Sequence, residues 1–237
     1  IGGVRATAQM VSYEAAMGLS AMAVVLVTGT LSTHGMVAEQ SGAGLFGIIP
    51  NWAVFTTLLV PFVIFVIAGT AELNRPPFDL VEAEQELVGG FNTEYSSIRF
   101  ALFFLAEFMN TITMSAIFVT LFLGGPSGPA PFGPPWVWSL VWFFAKTGIF
   151  LFMFVWFRAT LPRFRYDQLM DLGWKLLIPL ALGWLLLLAT VRIASDQNWN
   201  LVAVGGGLIL MFLVGWALLR SANAKAKAIH QDEEVPV

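Results

Sequence analysis

"FALFFLAEFMNTITMSAIFVTLFL", residues 100–123, runs for 24 residues with one charge, Glu107. A helix rises about 1.5 Å per residue, so this run reaches about 36 Å and crosses a hydrocarbon core roughly 30 Å thick. The pattern changes abruptly on both sides. Downstream lies "GGPSGPAPFGPP" at 124–135, where five prolines forbid a continued helix. Upstream lies "NRPPFDLVEAEQELVGGFNTEYSS" at 74–97, which holds five of the chain's 15 acidic residues: Asp79, Glu82, Glu84, Glu86 and Glu94. An oily span with an acidic loop against it sets the reading of everything else.

The apolar run is one of six. The others cover roughly Ala6–Thr30, Asn51–Ala71, Trp136–Phe157, Leu176–Ala194 and Leu201–Leu219. The 237 residues are 57% hydrophobic and 11% charged, against about 25% charged in soluble domains. The fold expected is all-α, a polytopic transmembrane helix bundle of about six spans. It forms one domain over 1–220, with an acidic loop at 73–99, a second loop at 158–175 and a polar tail at 221–237. Pro61 and Pro179 fall inside runs and predict kinks. With no cysteine, disulfides, thiolate catalysis and cysteine-held clusters are excluded from this chain, and a net charge of −3 gives nucleic acid no reason to bind. The opening "IGGVRATAQM" has neither an initiator methionine nor a signal-peptide pattern, which reads as a chain lacking its N-terminal part.

Basic residues set the expected orientation. With the first residues on the cytoplasmic side, one set of connections holds Arg5, Arg75, Arg99, Arg158, Arg163, Arg165, Lys175, Arg220, Lys225 and Lys227. The other holds only Arg192. The acidic loop then faces the cytoplasm. Trp52, Trp136, Trp138 and Trp199 fall at the outer interface and Trp156 and Trp174 at the inner one, as anchors would.

Glu14, Glu107 and Lys146 lie within spans, and Glu72 closes one. An intramembrane charge costs at least about 2.5–3.5 kcal/mol on insertion scales, so it marks an internal polar pathway by default. Counting from Arg5, Arg99 and Arg158 puts Glu14, Glu107 and Lys146 about 14, 12 and 18 Å deep. Three helices thus bring ionisable groups to a similar level. One reading is a proton-relaying set, with Gln9, Ser12, Tyr13, Asn110 and Thr111 able to hold waters between them. The other is a structural ion pair of Lys146 with Glu14 or Glu107.

The acidic loop has its own logic. Asp79 can cap a short helix with Glu82 three residues later, after Pro76 and Pro77 impose an extended entry. If 80–88 is helical, Asp79, Glu82 and Glu86 share a face and Glu84 points elsewhere. Phe78, Leu80, Val81, Leu87, Val88 and Phe91 are interleaved and want burial. An acidic and greasy loop suits a surface covered by another protein.

At these residues a resemblance emerges. "AELNRPPFDLVEAEQELVGGFNTEYSS" at 71–97 resembles the signature of the H-type membrane subunits of NADH:quinone oxidoreductase, the family in respiratory complex I that meets the peripheral arm. "RATAQMVSYE" at 5–14, "FALFFLAEF" at 100–108 and "LPRFRYDQLMDLGWK" at 161–175 match the same family. The match runs to about residue 190. It implies a core of eight transmembrane helices, of which this chain would begin near the fourth, with Leu201–Leu219 an extra helix. It also implies that Glu14 and Glu107 belong to a hydrophilic channel toward antiporter-like subunits. Glu72, Asp79, Glu82, Glu84 and Glu86 would form the acidic cluster at the quinone cavity. Arg75, Arg163, Arg165, Tyr166 and Asp167 would lie at the interface of that cavity with the peripheral arm. Leu73 and Phe108 depart from the family's threonine or valine and its tyrosine.

The function expected is that of a quinone-chamber subunit in a proton pump, coupling quinone reduction to proton translocation in the inner or cytoplasmic membrane. Quinone (ubiquinone or menaquinone) is the expected substrate. With only His34 and His230 as histidines and no dinucleotide fingerprint, NADH, FMN and Fe–S clusters belong to partners, and no catalysis is expected of the isolated chain. Those partners are peripheral-arm subunits, one carrying a cluster, and the other membrane-arm subunits. Two alternatives stand beside this reading: the related subunit of a membrane-bound hydrogenase, and a stand-alone ion-coupled transporter. The transporter should purify alone and active, and should carry a substrate site near the bilayer midplane.

Overall fold

In the computed structural model, residues 98–122 form one unbroken helix. The structure describes residues 2–42, 50–78, 97–130, 134–162 and 164–197, with side chains from Thr7 onward. Among these, every regular element is helical. In chain order they are α1 (Gly2–Thr28), α2 (Thr33–Gln40), α3 (Ala53–Thr56), α4 (Val60–Glu72), α5 (Ile98–Phe122), α6 (Pro135–Thr160), α7 (Tyr166–Asp171), a π-helical turn (Leu172–Leu177) and α8 (Ile178–Asp196). Four helical stretches are long and apolar enough to cross a membrane: Thr7–Thr28, Ile98–Phe122, Pro135–Thr160 and Tyr166–Asp196. The all-α, membrane-spanning expectation is met. The expected run 201–219 and the tail 221–237 lie outside the described residues.

The predicted span Asn51–Ala71 is not continuous. It breaks after α3, where Leu58 and Leu59 take left-handed φ values of 61° and 66°, and resumes as the 13-residue α4. Pro61 explains the break. A continuous helix would need the N–H of residue 61 to reach the carbonyl of Thr57, and proline has none. The indole of Trp184, on α8, donates to Thr57 O instead, at 3.0 Å. Pro179 acts similarly at α8, where the chain enters through the π-helical turn rather than a regular one. The connection expected across 158–175 is short, because α6 runs to Thr160 and α7 begins at Tyr166.

The chain divides into two compact units, Ile1–Leu188 and Ala189–Val237. In the first, α1 and α4 pack antiparallel: Gln9 meets Ala71, and Ala16 and Ile64 share one core cluster. An aromatic core joins α4, α5 and α6. Phe65 meets Phe118 edge-on at 4.9 Å, and Phe118 stacks on Phe150 at 5.2 Å. Such pairs add about 0.5–1.5 kcal/mol beyond area burial. Gly69 permits the approach, since a Cβ there would lie 2.7 Å from Phe118 Cζ. The unit thus has a near end, where α1 begins and α4 stops, and a far end, where α1 and α5 stop. In the second unit, the described part carries Arg192 beside Asp196, at 3.8 Å.

Candidate functional site

At the near end, α4 delivers the chain into a polar junction. Gln9 is fully buried, and its amide donates to Ala71 O and Phe78 O, both at 3.1 Å. Tyr13, one turn on, is also fully buried and donates its hydroxyl to Leu169 O at 2.8 Å. Its ring meets Phe78 edge-on at 5.4 Å, and Phe78 in turn lies 5.7 Å from Phe164. Phe164 N donates to Pro77 O at 3.0 Å. Pro77 and Phe78, the last residues before the acidic loop, are therefore gripped by α1, α7 and the α6–α7 connection together. Trp174 Nε1 donates to Ser12 Oγ at 2.9 Å, which ties the π-helical turn to the same face of α1.

The charges gather here. Arg75, 8% exposed, places Nη2 at 3.3 Å from Glu107 Oε1 and 3.5 Å from Thr111 Oγ1. Its guanidinium also lies 5.2 Å from the centre of the Phe108 ring. The phenylalanine that departs from the family's tyrosine thus offers Arg75 a π face. Among the described residues, Arg75 Nε is buried with no hydrogen-bond partner, as is one carboxylate oxygen of Glu72, three residues away. Glu72 feels the like charge of Glu14, which is itself exposed on α1. Glu107 thus has Arg75, just past the stop of α4, as its counter-ion, and Glu14 and Glu72 lie within electrostatic reach of each other. That cation was placed by the sequence in the loop, not against Glu107.

Lys146 stands elsewhere. Its ammonium donates to Leu123 O, Gly125 O and Ser127 O at 2.7, 3.1 and 2.7 Å, and lies 4.5 Å from the centre of the Trp52 ring. These carbonyls follow the end of α5 at the far end. Leu123 is 16 residues past Glu107, about 24 Å along a helix. The common level inferred from helix depth fails because Arg99 and Arg158, from which the depths are counted, do not start level. Phe118 stacks on Phe150 and lies 6.0 Å from Phe154, so Lys146, one turn beyond Phe150, is level with the end of α5 and not with Glu107. Neither glutamate is its partner.

Among the remaining expected residues, Arg165 and Asp167 face each other at 3.6 Å with both side chains about four-fifths exposed, and Tyr166 opens α7. Asp79, Glu82, Glu84, Glu86 and Arg163 lie outside the described residues. A cavity of about 480 Å³ opens between α4 and α6 and is closed at the near end by Pro77, Phe78, Pro162 and Phe164. Thr70 carries the one hydroxyl in its lining. The sequence pattern did not reveal Gln9 as a tie, nor the far-end group of Gln40 and Trp52. A glutamine in an apolar helix was the available signal for the first; the second had none.

The arrangement joins a family whose model, described as NADH dehydrogenase, matches residues 1–189. The chain belongs to the NADH dehydrogenase family. Among its relatives, the H subunit of the NADH-quinone oxidoreductase of Streptomyces avermitilis is 44% identical over 96% of this chain and 51% of its own length. That of Frankia alni is 48% identical over 98% of this chain and 50% of its own. The chain spans about half the length of the curated relatives it matches. The resemblance to the H-type subunits read from "AELNRPPFDLVEAEQELVGGFNTEYSS" is thereby shown, and this NADH dehydrogenase family member carries that segment between α4 and α5.

Proposed function

We propose that this chain forms part of the quinone chamber of a proton-pumping NADH:quinone oxidoreductase and couples quinone reduction to proton movement. The observation that carries the reading is the Arg75–Glu107 pair, set beside Glu72 and Glu14 where α4 enters the acidic loop. Reducing a quinone to a quinol takes two electrons and two protons. The electrons come from a cluster held by a peripheral-arm partner; the protons come from the acidic loop, Asp79, Glu82, Glu84 and Glu86. A loop that has given up protons carries excess negative charge, poorly screened in a cavity of low dielectric. Arg75, four residues before Asp79 in the chain, pairs with Glu107. Recharging the loop through Glu72 draws protons in along Glu14 and Glu107, and the charge they leave behind acts on the neighbouring membrane subunits. Arg163, Arg165, Tyr166 and Asp167 flank the loop on the arm side, and both loops face the cytoplasm. The apolar cavity beside Phe78 has room for part of an isoprenoid tail. The quinone-oxidoreductase names of both relatives favour this reading over the hydrogenase and the transporter.

The test uses assembled complexes carrying Glu14→Gln or Glu107→Gln. Both quinone reduction and proton pumping are expected to fall, on the order of tenfold for Glu107→Gln, with assembly intact. Normal coupled turnover in both variants would leave the Arg75–Glu107 pair as a structural tie and end the proton-path reading.

A further inference from the structure

Lys146 is the buried cation that the proton path above does not use, and its surroundings are built to a pattern. Three N–H donors meet three backbone carbonyls, which is the complement of a protonated ammonium; a neutral amine has only two donors to give. The carbonyls belong to the turn that ends α5, where Gly124 and Gly125 take left-handed φ values of 65° and 53°. The C-terminal end of a helix carries a partial negative charge and unpaired carbonyls, so it attracts cations and protonated water. Around Gly124 stand Ser127 Oγ, Trp52 Cδ1 and Gln40 Cβ. Gln40 is buried and bridges Leu121 O to Ala53 N at 2.9 and 3.0 Å. Among the described residues, Trp52 Nε1 and Ser127 Oγ are buried with no hydrogen-bond partner, which gives the patch an affinity for water. The far end of α5 is therefore a polar spot with a negative helix terminus, on the same helix as Glu107.

We propose that Lys146 is an electrostatic seal: a tethered cation that fills the carbonyl end of α5 and bars protons from entering or leaving the Glu107 track at that end. Positive charge in a narrow polar passage excludes protons, whereas a hydrogen-bonding group without charge does not. Trp52 backs the ammonium with its ring face. The inference rests on Glu107 belonging to a proton track, but the leak it predicts is measured without turnover, so its failure and the failure of that track are separate results.

The experiment imposes a pH gradient on vesicles containing the assembled complex, with no substrate, and follows its collapse. Lys146→Met is expected to leak faster on the order of tenfold, and Lys146→Gln likewise, although glutamine keeps N–H donors for the carbonyls. Lys146→Arg is expected to stay tight. With an uncoupler present, quinone reduction by all three is expected to stay within about twofold of the unsubstituted complex, because Lys146 carries no proton toward the quinone. If Lys146→Met fails to assemble, Trp52→Leu keeps the carbonyl bonds and removes the aromatic backing, and a smaller leak is expected from it. Tight vesicles from Lys146→Gln, or from Trp52→Leu where that variant stands in, would overturn the proposal. Uncoupled quinone reduction by Lys146→Gln falling as far as in Glu107→Gln would overturn it too, and make Lys146 a relay member.

Discussion

Arg75 and Lys146 are both buried cations among apolar helices, and they are held in opposite ways. Arg75 faces a carboxylate, a hydroxyl and a ring, and one of its nitrogens has no partner. Lys146 faces three backbone carbonyls and a ring. A carboxylate can take a proton and release its partner; a backbone carbonyl cannot. The near end is thus built from groups whose pairing can change, and the far end from groups whose pairing is fixed by the backbone. Burial of a charge does not by itself tell a switch from a clamp. The chemistry of the partner does.

The contrast is broken most severely by removing the near-end cation. Arg75→Gln leaves Glu107 half-buried without a counter-ion, and uncoupled quinone reduction in assembled complexes should fall on the order of tenfold or more. Arg75→Lys keeps the charge but loses the planar fork, and should fall less. Equal rates in both variants would mean that neither charge nor geometry at Arg75 matters. A second, smaller effect orders the acidic loop. Asp79→Asn should lower quinone reduction most, Glu82→Gln and Glu86→Gln less, and Glu84→Gln least, since the sequence pattern gives Asp79 a capping position as well as a charge. Identical rates in all four would reduce the loop to a docking surface.

Two further substitutions sharpen the contrast through stability. Tyr13→Phe strips the hydroxyl that reaches Leu169 O and leaves that carbonyl short of a donor. A loss of about 1–2 kcal/mol is expected, read as a lower unfolding temperature of the complex with the protons pumped per quinone unchanged. The smallest effect is expected of Lys175→Ala. Its 2.7 Å pair with Asp171 is mostly exposed, and such pairs contribute about 0.2–1 kcal/mol. A large loss of activity there would place function on the exposed face of the π-helical turn, where nothing in the geometry calls for it.

The four long spans were legible because apolar length alone determines them. Pro61 signalled an interruption, yet its form was not legible: the donor that satisfies Thr57 O comes from Trp184, 127 residues away. Glu14 and Glu107 were legible as charges set within apolar runs. Lys146 was misplaced by counting from Arg158, because Arg158 on α6 and Arg99 on α5 do not mark the same depth. Arg75 was visible as a loop residue but not as the partner of Glu107, because ion pairing between a loop and a neighbouring helix leaves no periodic trace in sequence. Gln40 left no trace at all. Its two bonds join the end of α2 to the last turn of α5 and to the start of α3, and only the packed unit brings them together.

The most direct test of a switchable near end against a fixed far end is a double-variant cycle on uncoupled quinone reduction in assembled complexes. Arg75→Gln, Glu107→Gln and the pair together are compared with Arg75→Gln, Lys146→Gln and that pair together. Groups that act as a unit are strongly non-additive, and distant independent groups add. Arg75→Gln with Glu107→Gln should therefore be no slower than the slower single variant, whereas Lys146→Gln should leave the Arg75→Gln rate unchanged. Full additivity of Arg75 with Glu107, or coupling of Arg75 with Lys146, would contradict the account.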